Sequence, residues 1–203
     1  MMDDEVIVDI FEAADEFAAG NLSPITRLLP RIERGEFLEG VPILFYVVRS
    51  REIFDFLDGR GVNFLQKNEL TGHNLLHDAI LEDGSEIFEK VLSWYSSRGL
   101  VDDPDINGIT PLSSALKFGK VERVERLIDS GANMLSVASN GLTPIKQALY
   151  CLEGEDVAIS ELDMLFKKGI AISSSEIQDL VKSAVFLGKK KVSKWIEDNV
   201  RLG

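Results

Sequence analysis

The sequence predicts an all-α chain of tandem helix-turn-helix units, and three observations predict it. First, Asn107-Gly108-Ile109-Thr110-Pro111-Leu112 returns 33 residues later as Asn140-Gly141-Leu142-Thr143-Pro144-Ile145. Each copy is followed by an alanine at the same distance, Ala115 and Ala148. Second, Val121, Val124, Leu127 and Ile128 fall at helical spacing after the first copy. Third, hydrophobic residues make up 45% and charged residues 28% of 203 residues, and no apolar run is long enough to span a bilayer.

Each part of the motif has a mechanical reason. Glycine in the turn tolerates positive φ. Threonine is a good N-cap, because its hydroxyl accepts from a backbone N–H two or three residues on. Proline suits the first helical position, where its missing donor costs nothing. Leucine and alanine then face neighbouring helices, and the small alanine lets backbones approach. Gly131 is placed to stop the second helix in a left-handed cap. Looser copies lie upstream. Thr71 to Ala79 places its alanine 36 residues before Ala115, and Pro42-Ile43-Leu44 stands 33 residues before Leu75.

The stretch Asn107 to Asn133, with its G-x-T-P-L opening, mid-unit glycine and G-A-N ending, resembles an ankyrin repeat, a β-turn plus two antiparallel helices of about 33 residues. The resemblance is closest over 105–137, extends to 69–101 and 138–171, and is looser but in phase over 39–63. Gly20 to Leu29 is similar to the inter-helix turn and second helix of a first repeat. Ala184 to Gly188 has the spacing of Ala115 to Gly119, with Val192, Trp195 and Ile196 following. The resemblance therefore implies one ankyrin-repeat solenoid over 1–203. It would hold about six units, near 1–36, 37–66, 67–101, 102–137, 138–171 and 172–203, with degenerate terminal caps. The third and fifth units are longer than the fourth. Their extra length is expected near Asp83-Gly84-Ser85 or Trp94 to Ser97, and near Glu153 to Asp156. Such insertions serve a partner or drift neutrally in a tolerant loop.

The formal net charge is −12, which disfavours nucleic acid and membrane surfaces and suits a protein partner with a basic surface. Lys189, Lys190, Lys191 and Lys194 form a local exception, read first as a solvated helix face and second as a localisation or anion patch. The acidic start MMDDEVIVDI is unlike a signal peptide. The one cysteine, Cys151, allows no internal disulfide, so a cytoplasmic or other intracellular setting is expected.

Catalytic chemistry finds little support. His73 and His77 are four apart, but no HExxH pattern or third ligand accompanies them. The resemblance places His77 at the histidine of T-P-L-H, where it would link turns by hydrogen bonds. Cys151 lacks a histidine base in its own unit and reads as a passive thiol. No phosphate-binding, nucleophile-elbow or calcium-loop motif occurs, so no catalytic residue, metal ligand or cofactor is assigned. Trp195 lies on the helical phase of Val192 and Ile196 and reads as packing, as do Trp94 and Tyr95.

In an ankyrin array the turn tips and the exposed face of the first helix line a groove that takes the partner. Carried over position by position, that groove holds Leu70 and His73 in the third unit, with Thr71, Leu81 and Glu82. It holds Ile106, Asn107, Ile109, Lys117 and Phe118 in the fourth, and Asn140, Leu142 and Tyr150, with Ser139, in the fifth. Exposed Ile106, Ile109, Phe118, Leu142 and Tyr150 would make an apolar strip, as interaction sites do. The implied function is a protein-binding module, an adaptor or inhibitor, with viral or bacterial effectors acting in a host cell among its forms. Two alternatives stand beside it: a structural subunit of a larger assembly, and an enzyme with a divergent site on the insertions.

Overall fold

The computed structural model describes residues 4–82 and 85–200. Among them the chain is mostly helical, with one two-stranded hairpin. It falls into two compact units, up to Ser97 and from Arg98 onward, where the repeat pattern treats 1–203 as one domain.

The first unit opens with α1 (Asp4–Ala18) packed on α2 (Ser23–Glu33). Asp9 is buried and ion-paired to Arg27. Strands β1 (Phe37–Leu38) and β2 (Val41–Pro42) pair antiparallel, and α3 (Ile43–Val47) and α4 (Arg51–Asp58) follow. Helix α4 starts at Ser50, whose hydroxyl accepts from the Ile53 N–H at 3.3 Å. Helices α5 (Leu75–Ala79) and α6 (Ser85–Ser96) close the unit. Its core is aromatic. Phe54 stacks on Phe64 at 4.4 Å, and the buried Tyr95 hydroxyl donates to the Phe64 carbonyl at 2.8 Å. Trp94 packs edge-on against Phe64 and donates to Asp58 at 3.0 Å. Both residues therefore do the packing work expected of them.

The second unit runs α7 (Pro111–Lys117), α8 (Val121–Asp129), α9 (Pro144–Ala148), α10 (Glu155–Lys167), α11 (Ser174–Phe186) and α12 (Lys190–Asn199). In the first two pairs a short helix precedes a longer one, whereas α11 has 13 residues against 10 in α12; α7 packs on both α8 and α9, and α10 on α8, α9 and α12. Leu112, Leu116, Val124, Leu127, Leu162 and Ile196 form its interior. The motif residues act as their chemistry suggests. Thr110 accepts from the Ser113 N–H at 3.4 Å, Pro111 opens α7, and Gly108 has φ +76°. Thr143 precedes Pro144 in the same way but makes no side-chain cap bond. Ser173 and Glu176 form a reciprocal capping box on α11.

The extra length of the third and fifth units lies largely in their second helices. Helix α6 has 12 residues and α10 has 13, against 9 in α8. Asp83 and Gly84 lie outside the described residues. Adding three or four residues adds about one helical turn, so the buried stripe stays in register, which a loop insertion would not require.

Gly119 ends α7 with φ +64°, and a β-carbon there would meet Glu153 Cγ at 2.5 Å and Cβ at 2.8 Å. Left-handed backbone costs any other residue about 1–2 kcal/mol, and Glu153 Cβ is too close to its own backbone to swing away. Gly119→Ala is expected to lower stability by about 2–3 kcal/mol, read from urea unfolding monitored by circular dichroism. A loss below about 0.5 kcal/mol would mean that α7 does not end in this close approach.

Candidate functional site

The second unit exposes apolar side chains where α7, α9 and α11 end. Counting two residues on from Ala115, Ala148 and Ala184 reaches Lys117, Tyr150 and Phe186. The repeat places these three at equivalent points, and hydrogen bonds tie the neighbouring ends together. The Leu152 N–H donates to the Lys117 carbonyl at 2.9 Å, and Lys189 Nζ donates to the Cys151 carbonyl at 3.3 Å. Phe186 is 90% exposed, Leu152 64% and Tyr150 44%. Phe118 is half-buried, with Lys117 Nζ 5.5 Å from its ring centre. These residues form a ledge of aromatic and aliphatic side chains along three successive helix ends.

The turns make a second edge. Asp105 Oδ1 accepts from the N–H groups of Asn107 and Ile109, both at 2.8 Å, and so shapes the first turn. The Ser139 N–H donates to the Asn107 carbonyl at 2.8 Å and joins it to the next turn, where Asn140 Oδ1 accepts from Leu142 at 3.0 Å. Ile106 is 65% exposed, Asn107 and Asn140 are exposed, and Ile109 and Leu142 are half-buried. Leu135 and Val137 are exposed between the turns.

Eight of the sequence-predicted binding residues thus lie in the second unit, and all are at least partly accessible. Leu70 and His73 lie in the first. Leu70 is exposed and sits on Gly40, and the Glu69 N–H donates to the Gly40 carbonyl at 2.8 Å. His73 is half-buried with its ring stacked on His77, 4.9 Å apart and 4° from parallel. His77 is buried and closes the N-terminus of its own helix. Its N–H donates to Asn74 Oδ1 at 3.1 Å, and its Nδ1 lies 2.8 Å from the same oxygen. It thereby helps to cap α5. Among the described residues no group of three histidine, cysteine or carboxylate side chains is arranged to hold a metal ion.

Sequence reasoning missed Phe186, Leu152 and Glu161. Phe186 was legible as the counterpart of Tyr150; Leu152 carries no periodic signal. Glu161 sits with Ala158, Leu162 and Leu165 on the buried stripe of α10, so helical phase points it inward. It is fully buried, and no N–H or O–H donor meets either carboxylate oxygen, which leaves the weakly donating Cys151 thiol beside it. Burial pushes its pKa up to about 8; the Cys151 thiol and the Lys189 ammonium pull the other way and offset only part of this. Burial likewise pushes the Cys151 thiol up, away from the thiolate that nucleophilic chemistry needs. Trp195 is half-buried and its ring centre lies 6.3 Å from that of Phe166, a packing role.

No helix among the described residues is long and apolar enough to cross a membrane. No protein-family model matches the chain, and comparison with curated proteins finds no match.

Proposed function

We propose that the chain is a protein-binding module of ankyrin type, an intracellular adaptor or inhibitor that holds its partner on the second unit. The observation that carries this reading is the run of exposed apolar side chains at successive helix ends, Tyr150, Leu152 and Phe186, beside Phe118. Leaving such side chains in water gains nothing for the fold, whereas a partner covering them gains hydrophobic contact of about 1.5–3 kcal/mol for each large side chain. The 33-residue recurrence and the hydrogen-bonded turns support the ankyrin assignment. The test compares capture of a partner from native cells by the intact chain and by two paired variants, Tyr150→Ala with Phe186→Ala and Ile109→Ala with Phe118→Ala. A specific partner lost by these variants, with their folds intact, is the expected result; retention by both would sink the assignment.

A second reading, a subunit of a larger assembly, has one observation behind it. Helices α11 and α12 leave a groove of about 340 Å3 lined by Ile177, Val181, Ile196 and Val200. A chain that sediments as a monomer and keeps its partner when Val181 is changed to Asp counts against that reading.

A further inference from the structure

We propose that the segment of the partner occupying the ledge is acidic, an amphipathic stretch carrying Asp or Glu around aromatic or aliphatic anchors. This rests on the ledge reading above and adds the partner's charge to it. It reverses the basic partner that the net charge of −12 suggests, because that charge is unevenly placed. Residues 1–97 carry 19 acidic and 8 basic side chains, a net −11; residues 98–203 carry 15 and 14, a net −1. Within the second unit the segregation goes further. From Leu180 to Ile196 there are five lysines and no Asp or Glu.

The lysines stand where the apolar side chains are. Lys117 reaches over the Phe118 ring, Lys189 bonds the backbone between Tyr150 and Leu152, and Lys190 is exposed beside it. Glu155 and Asp156 keep their charge but direct it at α12. Glu155 Oε2 accepts from the N–H groups of Lys191 and Val192 at 2.8 and 3.1 Å, and so caps α12. Asp156 pairs with Lys191 at 3.0 Å, and Glu161 is buried. Exposed Glu153 remains, its stem packed on Gly119. A partner anchoring an apolar side chain here meets ammonium groups on the rim, and rim charges set partner choice and association rate more than raw affinity. A short acidic segment meets only this patch, since charges beyond about 8 Å are screened at physiological salt. An extended anionic surface such as lipid would also meet the exposed carboxylates of the second unit itself, Glu153 and Asp156 among them, so the protein segment is favoured.

The test selects binders to the intact chain from a random peptide library and measures the affinity of the enriched peptides as synthetic probes. Affinities are compared at about 50 and about 300 mM NaCl. They are also compared against Tyr150→Ala with Phe186→Ala and against Lys117→Glu with Lys190→Glu, each verified as folded by circular dichroism. The expected peptides are net negative with apolar anchors. Both variant pairs and the higher salt should weaken them by about tenfold or more. Peptides that depend on Tyr150 and Phe186 but are neutral or basic overturn the acidic partner and leave the ledge standing. Peptides indifferent to those residues, or no enrichment, overturn the ledge and the inference with it. Sedimentation with vesicles containing about one-third phosphatidylserine, dependent on Phe186, would assign the ledge to lipid and overturn the proposal.

Discussion

Glu161→Leu is expected to stabilise the chain by about 3–5 kcal/mol near pH 9 and by far less near pH 4. No N–H or O–H donor meets the carboxyl in its buried site and the Cys151 thiol beside it is only a weak donor, so ionising it there is costly. Its pKa rises from 4.5 when exposed to about 8 when folded. The sign follows directly. Below the unfolded pKa both states hold the proton and the residue carries no electrostatic penalty. As pH climbs toward 8 the unfolded chain ionises first, so folding loses about 1.4 kcal/mol per pH unit until the folded carboxyl also ionises. Leucine removes the titration and fills a similar space among Ala158, Leu162 and Leu165. Glu161→Gln should also flatten the pH profile, while leaving an unpaired buried amide and hence less stabilisation. Urea unfolding across this pH range checks both variants. A wild-type midpoint that does not fall between pH 5 and 8 would contradict a buried carboxyl without a strong donor at this position.

Changing Tyr150 and Phe186 together to alanine is expected to weaken partner binding by about thirtyfold to a thousandfold, at roughly 1–2 kcal/mol for each anchor. The same pair should barely alter stability, because Phe186 is 90% exposed and Tyr150 is 44% exposed. Calorimetric binding and thermal unfolding of one preparation separate the two effects. A variant that binds tenfold or less weaker would move the anchor residues elsewhere on the surface.

Much of this fold was legible because its signals are local. The Asn-Gly turn, the threonine cap and Pro111 act within a few residues of one another, and each does in α7 what its own chemistry requires. The buried stripe of α8 is likewise a matter of spacing alone. Capping by His77 was less legible, because Asn74 occupies the place of the motif's threonine and offers its side chain to the same turn. The added turns in α6 and α10 were read as loops because length alone does not say whether extra residues continue a helix. The ledge was half legible. Tyr150 and Phe118 followed from the repeat, but Phe186 needed the last unit to be aligned on Ala184. The lysine rim depended on which carboxylates the fold draws away, and only the position of Glu155 against α12 reveals that.

Hydroxyl-radical footprinting of the chain with its captured partner locates the bound surface. Tyr150, Leu152, Phe186 and Phe118 are expected to lose reactivity on binding, while Trp195 on α12 and Leu70 in the first unit change little. Protection confined to Leu70 and its neighbours, or to the second helices of the second unit, with Tyr150 and Phe186 still reactive, would contradict it.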